Sequence, residues 1–514
     1  MKTRLLYALA GAVLSLSLHA ADLRIGMSAD VTSVDPHFTN ITPNNTIGWH
    51  VFDALTHVDA DARLVPGLAE SWRAVDDTTW EFKLRRGVKF HDGSDLTADD
   101  VLYSIDRAAK LPNGQFGTFV AQLSDKRAVD SHTLRFRTAR PYAMVPYDLN
   151  SIFIVSKKAG AASSADFDSG RAMIGSGPFR FVRFARGDRV ELAKNEAYWG
   201  GAPAWDKVSF RILPSDAPRL AALLAGDVDM IDAVPTQDVT RLKANRNFAL
   251  AQKVSWRTLF FHLDQARDKS PFVTDRAGKP LDRNPLRDAR VRLAISKSIN
   301  RQAIVDRVME GSALPASNLV SPPVFGHAAD IKPEAYDPEG AKKLLAEAGY
   351  PDGFGLTVHA PNNRYVNDDQ IAQAVAQMLT RAGIAAKVEV MPVNVYLPKA
   401  RAGEFSMTML GWGSFSGDLA LRSLVATEQP AKGFGTWNWS KYSNPKVDAL
   451  LEQGFATVDE KKREAIARDA ARLALRDTAV VPLHHQLATW AMKRNLSYAA
   501  RTDEYTFAQN VKPQ

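Results

Sequence analysis

Residues 367–390 read NDDQIAQAVAQMLTRAGIAAKVEV. Ile371, Val375, Met378 and Leu379 recur at the three-and-four spacing of one helix face. The spacing predicts a helix that opens near Asn367 and stops at Gly383, a residue free to take the left-handed cap conformation. A strand over Lys387 to Val390 follows at once. Strand, helix and strand joined by short links make the α/β pattern.

The same punctuation extends outward in both directions. Upstream, Asp337 reads as an N-cap and Pro338 as a first-turn residue; Leu344, Leu345 and Ala348 share a face, and Gly349 ends the helix. Downstream, a helix is expected from about Glu460 to Leu475, then a short buried strand over Val480, Val481, Pro482 and Leu483. Toward the N-terminus, Thr79 to Leu84 alternates apolar and polar as a half-buried strand, and Gly87 marks a turn before Val88 and Phe90. Thr97 and Asp100 form a capping box for a helix carrying Val101, Ile105 and Ala108. Phe179 to Val182 and Arg189 to Leu192 read as paired strands around Gly187-Asp188. No internal repeat or low-complexity linker interrupts the series.

The chain has 514 residues, enough for about three domain-sized units. A hydrophobic content of 45% against 24% charged residues excludes a disordered or collagen-like chain. The formal net charge is +8, but the basic residues are scattered, and no run of them suits nucleic acid. The absence of cysteine rules out disulfides, thiolate metal sites, cysteine nucleophiles and a lipid-bearing N-terminal cysteine. Lys2 and Arg4 precede an apolar run from Leu5 to Leu18, with small residues at Ala20 and Ala21. That is the layout of a secretory signal peptide over residues 1–20, cleaved after Ala20 within a residue or two. The run is shorter than the ~20 residues that span a bilayer, so a soluble exported protein is expected.

Searches for catalytic motifs fail one after another. No phosphate-binding Gly-x-x-x-x-Gly-Lys occurs, and Gly433-Phe434-Gly435 lacks the third glycine of a dinucleotide fingerprint. Gly413 to Gly417 has the outline of a nucleophile elbow, but Phe415 stands where serine must be. His484 and His485 are adjacent, so they cannot share a helix face as zinc ligands, and a strand would point them to opposite sides. One of the pair is expected to be a core or hinge histidine. Asp166 to Gly170 begins like a calcium loop but has glycine at the fifth position. No enzyme, cofactor or metal is expected.

Collinear motifs carry a further reading. Ser33-Val34-Asp35-Pro36 is followed by Val51-Phe52-Asp53-Ala54-Leu55, then by Leu64 to Trp72, Leu84 to Gly93 and Thr97 to Val101. Gly175-Ser176-Gly177-Pro178-Phe179, Asn195 to Gly200, Ala225 to Asp229 and Val291 to Ile295 continue the series. Together they resemble the family 5 solute-binding proteins of ABC importers, the periplasmic dipeptide- and oligopeptide-binding group. The resemblance implies a two-lobed periplasmic binding protein fold of the cluster C type, with an extra subdomain in lobe I and two hinge crossings. Lobe I is expected at 21–262 with a subdomain inserted at about 60–170, lobe II at 263–484, and a return to lobe I at 485–514. The crossings are expected near Phe261 to Pro271 and Pro482 to Thr489. The implied function is capture of a short peptide or peptide-like solute, as a monomer, for an inner-membrane ABC permease. Other cargo on the same fold (an opine, glutathione, an oligosaccharide, a nickel or haem complex) is the alternative. A secreted hydrolase and a periplasmic chaperone are the readings from other classes.

A peptide zwitterion needs a carboxylate for its ammonium and a cation for its carboxylate if it is to leave water. Gly411 to Asp418 is similar to the family segment whose aspartate receives the ligand amine, and the matching residue is Asp418. Phe415 departs from a position often polar or acidic in peptide binders. Asp418 has a second reading as the cap of a helix over 419–425, and the two roles are compatible. Arg364 resembles the family arginine that meets the ligand carboxylate; its other reading is a solvated loop residue. Trp412, Ser414 and Phe415 are expected at the ligand, and Trp437 either there or in the core. Ser33 and Gly177 are expected to face the cleft from lobe I. Gly87, Gly177 and Pro178 also suit simple turn roles.

Overall fold

The computed structural model describes residues 22–514. The expected signal peptide and its cleavage point lie outside the described residues. Among those described, no helix is long and apolar enough to cross a membrane.

The quoted helix forms over Asp368–Arg381 and buries Ile371, Val375 and Leu379. Asn367 precedes it in the left-handed region (φ 56°). Its side-chain amide does not cap the helix; it donates to the Val308 carbonyl at 2.7 Å and to Thr236 Oγ1 at 3.1 Å. Gly383 takes φ 96°, and the strand Ala385–Met391 then runs parallel to Gly355–Pro361, which pairs in parallel with Met407–Gly413. Asp337 caps Pro338–Glu347 by accepting from the Gly340 amide at 2.8 Å. The capping box at Thr97 forms as expected: the Thr97 amide and hydroxyl both donate to Asp100 Oδ2 at 2.9 Å.

One sheet of twelve strands organises the molecule. At one end, Phe179–Ala185, Arg189–Lys194 and Lys207–Ile212 pair antiparallel in sequence, and Asp22–Met27 lies parallel to the last of them. At the other end lie Met407–Gly413, Gly355–Pro361 and Ala385–Met391. Two long strands, Phe248–Leu263 and Val481–Lys493, join the ends and pair antiparallel with each other. The strand expected over 480–483 begins at Val481 and runs for thirteen residues. Sequence pattern stops it at Leu483 because His484, His485 and Gln486 break the apolar run, yet both histidines are buried. A separate four-stranded antiparallel sheet, Ala69–Asp76 to Leu123–Asp130, stands beside this frame.

The two long strands do not pair evenly. Val254 faces Leu487 and Thr258 faces His485, so residues 255–257 stand opposite Gln486 alone. A bulge of this kind bends a strand and re-aims its side chains. It lies upstream of the Phe261 to Pro271 stretch expected for the first crossing. Phe261 and Leu263 are already paired with Met409 and Met407. On the second strand the irregularities fall at 482–487.

Separate cores back the two ends of the sheet. Ile25, Phe210, Trp490 and Phe507 belong to one, and Leu356, Val375, Met407 and Leu483 to the other. A third core joins the small sheet, through Phe82 and Phe136, to the helices carrying Leu421, Leu451 and Ala470.

Candidate functional site

A cavity of about 1120 Å³ opens where the two long strands bulge, with Trp256, Arg257, Gln486 and Leu487 on its wall. Trp412, Ser414 and Phe415 line it from the end of Met407–Gly413, and Arg364 and Tyr365 from the loop before the quoted helix. Asp148 and Phe119 come from the segment around the small sheet, and Glu504 and Tyr505 from the C-terminal segment.

Small residues make the wall possible. Gly411 and Gly413 flank Trp412 and so face away from it in the strand. A Cβ on Gly413 would fall 2.5 Å from Trp256 Nε1, and one on Gly411 would fall 2.6 Å from Tyr365 Cε1. The two glycines therefore let aromatic rings lie directly on the strand. Trp412 meets Trp437, which also lines the cavity, at 5.3 Å between ring centroids, and Arg401 lies 4.8 Å over Trp437.

Among the described residues that line the cavity, Arg364 is the cation without a hydrogen-bond or ion-pair partner. Its backbone amide and that of Tyr365 both donate to Asp368 Oδ2 at 2.9 Å, which fixes the loop. Its guanidinium makes no hydrogen bond or ion pair among the described residues and lies 5.2 Å over the Tyr365 ring. The side chain is open toward the cavity, yet the surrounding protein lowers its pKa below the usual arginine range, and the charge of Arg257 adds to this. Arg257 itself is neutralised. Its Nη2 meets Glu504 Oε2 at 2.7 Å, and Ser255 Oγ donates to Glu504 Oε1 at 2.7 Å. Burial pushes the Glu504 carboxyl up, but Arg257 and these hydrogen bonds outweigh it and hold the pKa below the carboxylate range.

A buried polar group closes the other side. Tyr142 Oη donates to Asp148 Oδ2 at 2.7 Å and accepts from Arg422 Nη1 at 3.3 Å. Burial drives the Asp148 pKa up to about 6 against the opposing pull of Arg422 and Tyr142.

The expected residues divide into two sets. Arg364, Trp412, Ser414 and Phe415 are on the cavity wall. Asp418 is not: it is 2% exposed, Arg463 Nη1 lies 3.6 Å from its Oδ2, and its Oδ1 accepts from the Leu419 amide at 2.8 Å and from the Ser416 hydroxyl. It sits in the first turn of Gly417–Leu424, and the cap position belongs to Ser416. Ser33 is also off the wall, donating to Asp168 Oδ1 at 2.7 Å. Gly177 packs on backbone, where a Cβ would fall 2.6 Å from the Val51 carbonyl carbon. These placements correct the expectation that Ser33 and Gly177 face the cleft: both hold neighbouring chain in place.

Sequence reasoning missed Arg257, Glu504, Asp148 and Arg422. Two of them carried a signal, namely a charge set into an otherwise half-buried strand at Arg257 and a charged run at 501–504 in an aromatic C-terminal segment. Among the described residues no group of three His, Asp or Glu could hold a metal ion.

A cavity between the two ends of the sheet, walled by aromatic rings and, among the described residues, by one guanidinium free of both hydrogen bonds and ion pairs, suits a solute-binding protein. The chain belongs to the bacterial extracellular solute-binding proteins, family 5, whose middle region it matches over residues 63–422. It is 30% identical over 445 residues to the dipeptide-binding protein of Escherichia coli K12, covering 79% of this chain and 78% of that protein. It is 28% identical over 494 residues to the glutathione-binding protein GsiB of the same strain, covering 94% and 92%. Its structure is similar to that of the periplasmic binding protein DppA of Helicobacter pylori in complex with the peptide STSA, with a TM-score of 0.79, 25% identity and coverage of 96% and 98%.

Proposed function

We propose that the protein is the exported, periplasmic binding component of an ABC importer and captures a short peptide or peptide-like solute without altering it. The observation that carries this reading is Arg364, a guanidinium with no hydrogen-bond or ion-pair partner among the described residues, on the wall of a cavity large enough for such a solute. A planar fork of donors left open on a cavity wall suits a carboxylate. Trp412, Trp437 and Phe415 offer apolar surface for side chains.

Two lobes, 21–262 with 485–514 and 263–484, close on the solute by bending at the crossings near Phe261 to Pro271 and Pro482 to Thr489, with the uneven pairing of residues 255–257 and Gln486 beside them. The closed form touches solute from both lobes and the open form from one, so binding shifts the population toward closure. A monomer then presents its closed surface to the permease. The relatives named for dipeptides and for glutathione support a cargo of this size and charge.

A thermal-shift screen tests the reading. Dipeptides, tripeptides, glutathione, opines and oligosaccharides are compared, together with the mass of any solute released by denaturing protein from periplasmic extract. A carboxylate-bearing peptide class should raise Tm by mass action and be recovered intact. A response to sugars alone, or recovery of cleaved peptide, contradicts the reading.

A further inference from the structure

We propose that Asp148, and not Asp418, receives the positively charged end of the solute; this rests on the peptide-like reading of the cavity. Asp148 is 6% exposed and lines the cavity. Its Oδ2 takes the Tyr142 hydroxyl, while its Oδ1 accepts no hydrogen bond and the carboxylate makes no ion pair among the described residues. An ionised carboxylate offers about four acceptor sites, so most of its capacity is left unfilled. Arg422, the near cation, reaches Asp148 only through the Tyr142 hydroxyl; its charge draws the carboxyl pKa down but fills neither oxygen. A shielded carboxylate in this state is costly unless a cation arrives, and an ammonium brings both charge and donors. Burial, the largest cause, raises its pKa to about 6 against the pull of Arg422 and Tyr142.

The other carboxylates fit the role less well. Glu504 is filled by Arg257 and Ser255, and Asp216 is paired with Arg219 at 2.7 Å. Asp232 is less buried than Asp148, accepts from the Ser28 amide at 2.7 Å and has the charge of Arg219 beside it, and Asp30 is exposed, where water weakens any pairing. Asp418 is off the wall and already has Arg463.

Titration calorimetry with Ala-Phe, Ala-Leu and glutathione, each beside its N-acetyl form, decides the matter. In the wild-type protein, acetylation should weaken binding about ten- to hundredfold. Asp148→Asn should weaken the free-amine forms by a similar factor and leave the acetylated forms unchanged. Asp148→Ser is a second variant with the same expectation should the first not fold. Asp418→Asn should shift both forms equally. Equal losses in the Asp148 variants, acetylated forms that bind the wild type as well as free ones, or an amine-selective loss in Asp418→Asn would overturn the assignment and leave the peptide reading standing. If no probe in either form binds the wild type, the peptide reading fails and takes the assignment with it.

Discussion

Tyr147 lies parallel to Phe415, with 5.7 Å between ring centroids and 11° between planes. The first ring comes from the segment beside the small sheet, the second from the lip that follows Met407–Gly413. Tyr147 Oη also donates to Glu460 at 2.9 Å, and Arg463 lies 4.5 Å over its ring. The stack therefore fastens the small-sheet unit to the helices that carry one cavity wall. At another point on the cavity rim, Asn367 reaches Thr236 at 3.1 Å.

Removing one ring should loosen the closed form. An aromatic pair contributes about 0.5–1.5 kcal/mol beyond its buried area, so Phe415→Ala should weaken solute binding about two- to twelvefold, chiefly through a faster off-rate. Stopped-flow release of bound solute measures this. An unchanged off-rate would show that the stack does not hold the closed state.

Acid should destabilise the protein through its histidines. Burial, the largest cause in each case, holds His37, His50, His262 and His484 down to about 4, and His485 to about 3, against 6.5 when exposed. Between those values the unfolded chain binds protons that the folded chain refuses. Stability is then full above about pH 6.5, falls as pH drops toward 4, and levels once the folded state protonates. Asp148, shifted the other way, offsets part of this between its folded value of about 6 and its ordinary 3.8. Neither ring nitrogen of His484 has a partner. His484→Leu should stabilise by about 1 kcal/mol at pH 7. It should also flatten the acid limb by up to about 1.4 kcal/mol per pH unit, read from urea melts between pH 7 and 4.5.

Gly413→Ala should cost about 1–3 kcal/mol, because its Cβ has no room beside Trp256. Since Trp256 also lines the cavity, solute affinity should fall with stability. A Gly413→Ala protein of normal Tm and affinity would mean that the ring moves aside freely.

Asp418→Asn should be destabilising, by about 3 kcal/mol, since it leaves the Arg463 guanidinium buried without its carboxylate. Chemical unfolding measures the loss. A neutral result would mean that Ser416 and the Leu419 amide, and not the charge pair, fix that corner.

Local punctuation made the elements legible. Thr97 with Asp100, Asp337 with Pro338, and Gly383 each act on neighbours a few residues away, so their pattern survives in one dimension. The unevenness between Phe248–Leu263 and Val481–Lys493 involves residues over two hundred positions apart, and nothing local announces it. The site divides along the same line. Arg364 and Trp412 stand beside turns and glycines that mark them. Asp418 has as good a local setting, and only Arg463, 45 positions later and 3.6 Å away, shows that it is already occupied. Asp148 carries no pattern that sets it apart in the sequence; the state of its carboxylate depends on Arg422, far along the chain, reaching the Tyr142 hydroxyl beside it.

The most direct test uses one solute and its terminal amide. The best-binding peptide from the screen, with a free carboxylate and as the C-terminal amide, is titrated into wild-type protein and Arg364→Gln. The free acid should lose about ten- to hundredfold in affinity in the variant, while the amide binds both proteins alike. Equal affinity of the acid for both proteins would remove Arg364 from the site and with it the basis for reading this cavity as a carboxylate receptor.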